Sequence, residues 1–371
     1  MRKILLAFAL LPLSVIAQST YTVCNTPGMK ADYNNLQAAV NAVPAGSTIM
    51  VFPGGGSYGD VVVSKKLSIY GTGFLLGENS EPYTAPDIRG VVLNTLRCNP
   101  GSDNSVLEGL QFTDMNGIGG LNRMVLDSVR NVTVSRCDFY MRGFGPDLLT
   151  TRNTFNCIFR NCYVVPRQPD AGFDASGGPV YREFGTGSIN LQFLNNIFDN
   201  RGGGLLGFSM NYNVTPANYG EVFFTNNTFS CYLAFSNFCG YTYRNNIFYN
   251  TVTATITPEG VGMTGAGYNN ITNAPVLFKP NSGNRMNVSM DTVLVYNSFG
   301  YHSFDEKYRV LPNSFAKTFS TSGGEIGAYG GDKPYVLSGI PALPEIYAYS
   351  ITRDSTIRGN IKLRIKAKSI Y

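Results

Sequence analysis

The stretch NLQFLNNIF at 190–198 decides the fold. Leu191 and Phe193 alternate as on a strand, two asparagines interrupt, and Phe198 resumes the apolar side. The same frame, apolar-x-apolar-x-x-(Asn/Cys)-x-Phe, recurs in VFFTNNTF (Val222, Phe224, Asn227, Phe229) and YTYRNNIF (Tyr241, Tyr243, Asn246, Phe248). Upstream it is met by Val132, Val134, Cys137 and Phe139, by Cys157, Phe159, Cys162 and Val164, and more loosely by Ser105, Leu107, Leu110 and Phe112. Leu67, Ile69, Thr72 and Phe74 fit it earlier, and Thr292, Leu294, Asn297 and Phe299 later. Val91, Leu93, Leu96 and Cys98 also match, 14 residues before the next copy, and the frame alone gives them no place in the ladder.

A helical repeat would need apolar residues three and four apart, whereas these alternate at period two and are β-branched or aromatic. A strand pattern repeated at a coil-sized but irregular interval specifies a solenoid with loops inserted into a constant coil. The expected fold is therefore all-β, a parallel β-helix. Asn196, Asn227, Asn246 and Asn297 are expected to stack at the bend between two strands, tolerating left-handed backbone angles and hydrogen-bonding the next rung. Cys137 and Cys162 hold the same position upstream; they read as small core residues continuing that ladder rather than as a redox or metal pair.

The N-terminus MRKILLAFALLPLSVIAQ has Arg2 and Lys3, an apolar run too short to span a bilayer, and small-residue spacing at Val15 and Ala17. This is secretory-signal chemistry, with cleavage expected after residue 17 and export to the medium or cell surface. No later segment is long and apolar enough for a membrane helix. The formal charge of +5 falls to +3 without Arg2 and Lys3. Its positive excess sits at the C-terminus, in Arg353, Arg358, Lys362, Arg364, Lys366 and Lys368 against Asp354 alone. Nucleic acid is not an expected partner for a chain basic only in its tail. Cys231 and Cys239 form the most plausible disulfide among seven cysteines.

The expected organisation is a signal at 1–17 and the β-helix at 18–331, with a cap helix in ADYNNLQAAVNAVP (31–44). A Pro-punctuated linker follows at 332–346 and a basic tail of two strands at 347–371. Alternation in the last strand puts Lys362, Arg364, Lys366 and Lys368 on one face, a pattern that suits edge protection better than a docking site.

The cap helix, the GSTIMVFPGG turn, the KKLSIYGTG first coil and the NNIF frames together resemble the pectate-lyase-like superfamily of right-handed parallel β-helices. IGAYGG (326–331) followed by YVLSGIPALPEIY is similar to the closing segment of secreted bacterial β-helix repeat proteins. That resemblance implies a fold, and leaves activity open among lyases, hydrolases and adhesins. Lyases on this fold hold calcium with acids and use Arg or Lys as base, while its glycosidases pair carboxylates.

Neither cluster stands out in the repeated strands. The residues just after the ladder position are Asp138, Tyr163, Ile197, Thr228, Ile247 and Ser298, with one acid among them. The weak catalytic candidates are loop charges, Asp170, Asp174, Arg182, Glu183 and Arg201; Arg142, Asp147, Tyr181 and Asp199 are candidates for substrate binding. Asp170 and Asp174 could offer two calcium ligands, but no calcium-loop spacing supports this and no metal or cofactor is expected. His302 is the only histidine, which removes the material for Ser-His triads. Two readings remain: an exported β-helix protein that binds polysaccharide or a surface glycan without turnover, and a polysaccharide lyase or glycoside hydrolase.

Overall fold

The computed structural model describes residues 19–78, 90–113, 123–142, 149–168, 184–186, 188–199, 207–210, 222–230, 232–235, 241–249, 267–275, 282–297, 303–341, 345–353 and 361–368. Three long parallel sheets run through them, and Gly207–Met210 pairs parallel with Tyr232–Phe235 in a fourth, two-stranded one. Sheet 1 has five strands: Asp60–Val63, Thr95–Cys98, Met124–Asp127, Leu149–Arg152 and Phe184–Thr186. Sheet 2 has ten, starting at Thr20–Val23, Thr48–Val51 and Ser68–Tyr70. It continues through Val106–Glu108, Thr133–Ser135, Ile158–Arg160, Leu191–Leu194, Val222–Thr225 and Tyr241–Arg244 to Gly267–Tyr268. Sheet 3 has eight strands, from Val91–Leu93 through Leu110–Thr113, Asp138–Arg142, Tyr163–Gln168, Ile197–Asp199, Thr228–Ser230 and Ile247–Phe248 to Ile271–Thr272. Strands pair parallel and in register across successive coils, and parallel crossovers are right-handed, which makes this a right-handed parallel β-helix.

In-register pairing places like on like inside the barrel. Phe159, Phe193, Phe224 and Tyr243 stack on sheet 2 with centroid separations of 5.3, 4.8 and 5.2 Å. On sheet 3 Phe112 stacks on Phe139 at 4.9 Å, and Phe198, Phe229 and Phe248 follow at 4.6 and 4.9 Å. Such ring pairs contribute about 0.5–1.5 kcal/mol each beyond burial. Helix α1, Leu36–Ala42, plugs the first coil: Asn35 caps it by accepting from Ala38 N at 2.8 Å, and Leu36, Ala39 and Val40 join the same core. The first coil takes its sheet 3 strand from Val91–Leu93, and Leu96 and Cys98 already belong to the next coil in sheet 1. The four residues that matched the frame there thus straddle two coils.

The bend between sheets 2 and 3 holds the asparagine pairs, and their roles divide. The first of each pair, Asn195, Asn226, Asn245 and Asn269, has φ between 51° and 57°. The left-handed angle expected of the ladder position therefore falls one residue earlier. The second turns inward. Asn227 Oδ1 accepts from Asn196 N and Nδ2 at 2.8 and 3.0 Å, and Asn246 Oδ1 does the same for Asn227 at 2.8 and 3.1 Å. Asn270 and Asn284 continue the column, and at its upper end Asn196 Oδ1 accepts from Cys162 N at 2.9 Å. Each Nδ2 also donates to a carbonyl of the preceding coil, as Asn227 does to Phe193 O at 2.9 Å. Cys137 and Cys162 hold the upstream positions as buried free thiols. Burial pushes Cys137 well above its usual range, and Cys98 and Cys157 up to about 12 and about 11, so these sulfurs are packing groups and not nucleophiles.

Asn297 is a correction. It ends the 3-10 turn Val295–Asn297, beyond the last coil, and Asn270 and Asn284 take the rungs expected of it. Leu294 fits the frame by composition yet is buried in a different cluster, bridged antiparallel to Val310. The domain boundaries change with it: the coils end near Asn284, and residues 303–341 fold back across sheet 3 as a strap. The segment expected to be a linker at 332–346 is packed as far as Pro341, with Tyr335 and Ser338 buried. Beyond it Glu345–Arg353 pairs antiparallel with Ile361–Lys368.

The outward asparagines hold the strap. Asn269 Nδ2 donates to Phe319 O at 3.0 Å, and Asn245 exchanges bonds with Thr321 at 2.9 and 3.2 Å. Asn195 Nδ2 donates to Ala328 O and Gly330 O at 2.9 and 2.6 Å, and Asn161 Nδ2 to Lys333 O at 3.1 Å. Ser338 O then accepts from Phe74 N at 2.8 Å, so the strap climbs from the last coil to the first. Gly327, at φ +79°, permits this approach, since a Cβ there would lie 2.6 Å from Ile247 Cδ1.

A second asparagine column, at the bend before sheet 2, lies outside the core: Asn131 Nδ2 donates to Asn104 Oδ1 at 3.0 Å, Asn156 Nδ2 to Asn131 Oδ1 at 3.3 Å, and Asn190 to Asn156. The two columns differ in solvent access, which sets the expected costs. Asn227→Ala strips partners from buried groups and is expected to lower stability by about 3 kcal/mol or more, whereas exposed Asn131→Gly, which keeps the left-handed backbone, is expected to cost about 1 kcal/mol or less. Urea denaturation of the two variants checks this.

Candidate functional site

In a β-helix the outward rows of a sheet form the surface where side chains from several coils can converge on one ligand. Sheet 3 is closed to this use. Its outward Tyr163, Ile197, Ile247 and Ile271 are fully buried beneath the strap, in a second core with Phe74, Val293, Tyr308, Ile326 and Tyr335. A strand apolar on both faces must be covered on both, and the strap supplies the cover.

Asp199 is the substrate-binding candidate that the structure places in full. It lies in this second core, completely buried, with Lys307 Nζ 3.1 Å from each carboxylate oxygen. Tyr163 and Tyr308 both donate their hydroxyls to it. The ammonium of Lys307 also faces the rings of Tyr308 and Tyr296 at 4.8 and 4.9 Å. This is a carboxylate with its partners, sealed from solvent and from any ligand: a clasp between strap and coil. Asp305 forms another within the strap, accepting from Ser338 N at 2.8 Å and Tyr335 Oη at 3.3 Å. Burial pushes the Tyr308 phenol well above its ordinary 10, and the Asp199 charge adds to this. Tyr329 and Tyr335 are raised by burial first and by Asp305 second.

Asp147, Asp170, Asp174, Tyr181, Arg182, Glu183 and Arg201 lie outside the described residues, as do His302 and the Cys231–Cys239 pairing. Arg142 ends the strand Asp138–Arg142, opposite Gln168. Among the described residues no group of three acids, histidines or cysteines is arranged to hold a metal ion.

Sheet 2 offers the face that sequence reasoning missed. One outward row reads Tyr70, Glu108, Ser135, Arg160, Leu194, Thr225, Arg244, Tyr268 from coil to coil. Tyr70, Arg160, Leu194 and Thr225 are half-buried, and Arg244 and Tyr268 are exposed. Arg244 lies over the Tyr268 ring at 5.9 Å. At the bend beside it, Arg130, Phe155 and Ile189 form a bridged column; Phe155 and Ile189 are 43% and 52% exposed, and Arg130 sits 6.0 Å from the Phe155 ring. The signal was present in the sequence as the residues flanking Leu107, Val134, Phe159 and Phe193 of the frame. Glu108, Ser135, Arg160 and Leu194 share no residue type, so composition does not reveal that they adjoin.

No family profile matches the chain, and no curated protein does. Two solved structures are similar in outline. The pectate lyase Pel9A is 12% identical, with a TM-score of 0.41, over 84% of this chain and 96% of its own. A pectin methylesterase from Aspergillus niger is 14% identical, with a TM-score of 0.39, over 82% and 94%. The parallel β-helix stands on the strand pairing described above.

Removing one partner of a buried ion pair leaves the other uncompensated, so Lys307→Met is expected to cost about 3–5 kcal/mol, and Asp199→Asn with Lys307→Met, which keeps an acceptor for Tyr163 and Tyr308, much less. Chemical denaturation of the single and double variants measures the difference. The raised tyrosines set a pH window. Their neutral forms favour the folded state, the unfolded chain ionises first near pH 10, and stability from this source is held below that pH and lost as pH rises beyond it. Tyrosinate absorbance rising together with protease cleavage in 319–341 is the expected alkaline signature.

Proposed function

We propose that this is an exported, non-catalytic β-helix protein that binds an extended polysaccharide along the outer face of sheet 2. The observation that carries the reading is the accessible run Arg160, Leu194, Thr225, Arg244 and Tyr268 of the outward row, with guanidiniums, a short polar group and an aromatic ring spaced at the strand interval of about 4.8 Å. A glycan presents flat apolar ring faces edged by hydroxyls, which aromatic faces and hydrogen-bond donors recognise together. The exposed Phe155, Ile189 and Arg130 extend the same surface at its edge. Export is supported by the basic and apolar composition of residues 1–17.

Catalysis asks for two groups held at a set distance about a scissile bond. The described part of the row offers Glu108 as its carboxylate, and Glu108 is buried and ion-paired to Arg136 at 3.2 Å. Binding without turnover is therefore expected. The test incubates the chain from Gln18 to Tyr371 with a panel of acidic and neutral polysaccharides. Retention of the protein on at least one of them, with no release of reducing ends or unsaturated products in calcium or in chelator, is the expected result. Product release would establish a lyase or hydrolase instead and direct attention to residues 170–201.

A further inference from the structure

We propose that the C-terminal hairpin is an anchor for an anionic lipid surface, a role independent of the glycan reading above. Glu345–Arg353 and Ile361–Lys368 pair antiparallel, and residues directly opposite one another share a face. Tyr349 opposes Ile365, Ile351 opposes Leu363 and Arg353 opposes Ile361, so one face is apolar with a single charge at its end. Ala348, Ser350 and Thr352 oppose Lys366, Arg364 and Lys362 on the other face. A bulge between Ile346 and Ala348 shifts the phase of the first strand and brings Ile346 to the apolar face, opposite Ala367. Cations on an exposed edge protect it whatever the neighbouring strand carries. Edge protection calls for neither the matched apolar face nor the bulge that extends it.

A two-stranded hairpin is marginal in water unless its apolar face is covered. Among the described residues, no strand or helix of the coils packs along either of its strands. The face measures about 26 Å by about 10 Å, roughly 260 Å², from the rise per residue and the strand spacing. A stable dimer buries about 800 Å² per partner, so a second copy held by this face alone is too small an interface. A lipid surface has no such threshold, because affinity for it grows with apolar area and with charge together. The charge is present, since residues 345–371 hold six basic residues against Glu345 and Asp354. An acidic protein surface would engage the cations and leave the apolar face wet, and an apolar groove would cover that face and leave the cations unused. With the apolar face laid into the boundary between headgroups and acyl chains, the backbone lies at headgroup depth and the opposite face meets the phosphates. Shallow seating also keeps water on the open outer edges of strands of nine and eight residues, which the hydrocarbon interior would not allow.

The test floats the chain from Gln18 to Tyr371 with vesicles of phosphatidylcholine alone or with phosphatidylglycerol added. The protein is expected to float with the anionic vesicles and not with the neutral ones, and to bind less as salt rises. Replacing Lys362, Arg364, Lys366 and Lys368 by Gln is expected to weaken binding about a hundredfold or more, at roughly fivefold per cation. Ile351→Ser with Leu363→Ser keeps the charge and is expected to weaken binding about tenfold or more. Because the chain contains no tryptophan, single substitutions report on each face of an otherwise unaltered hairpin. On anionic vesicles the emission of Tyr349→Trp is expected to shift to the blue and to be quenched by brominated acyl chains, and that of Thr352→Trp, on the cationic face, to be quenched less. Melting curves verify that the coils of each variant are folded. Flotation with neutral vesicles equal to that with anionic ones, flotation with neither, undiminished binding by the serine pair, or equal quenching at 349 and 352 would each overturn the anchor. A lipid-free dimer in sedimentation velocity that the serine pair dissociates would make a second copy the occupant instead. None of these outcomes bears on polysaccharide retention, which is measured without lipid.

Discussion

The structure depends on the bend between the second and third sheets, where a left-handed asparagine is followed by an inward-facing one. The left-handed residue turns the chain sharply, and asparagine is among the few residues with a Cβ that enters that region readily. Having turned, the chain must satisfy a buried amide on every coil. It does so by stacking each amide on the next, so that one group accepts from a backbone N–H and a side-chain amide at once. The in-register column forces like rings to lie over like rings, and the core of stacked phenylalanines follows from the same register.

The first asparagine of each pair faces the other way, and its amide is free to bind a second piece of chain. Those outward amides account for the path of residues 319–341, which touches the bend coil after coil. The strap in turn determines where ligands can bind. With one broad face converted into a second core, the outward row of the ten-stranded sheet from Arg160 to Tyr268 becomes a surface open to an extended molecule. The buried Asp199–Lys307 pair belongs to that closure and not to chemistry.

Much of this was legible in the sequence, and what was not has identifiable causes. The frame revealed the coils because interior positions repeat the same residue types, and the ladder followed from Asn196, Asn227 and Asn246. The last rungs escaped it because Gly267 and Thr272 replace the aromatic residues that the frame requires around Asn269 and Asn270. Leu294 and Asn297 satisfied the pattern without being a coil, since apolar residues that pack outward look the same in sequence as residues that pack inward. The strap was hidden for a related reason: its contacts run to residues far away in sequence and leave no local period. Its one trace was the apolar character of Tyr163, Ile197 and Ile247 on a face otherwise expected to meet water. The outward row of the ten-stranded sheet emerges only once register aligns strands of unlike composition.

The central claim is that one asparagine pair serves both cores, its inner member holding the coils and its outer member holding the strap. Native-state hydrogen exchange, read peptide by peptide by mass spectrometry in Asn195→Gly with Asn245→Gly, which removes the outward amides and keeps the left-handed bend, addresses it most directly. The account predicts that amides in 319–341 exchange at least tenfold faster in the variant, while peptides containing Asn196, Asn227 and Asn246 keep their protection. Equal acceleration of strap and ladder peptides, or a strap already unprotected in the unaltered protein, would contradict it.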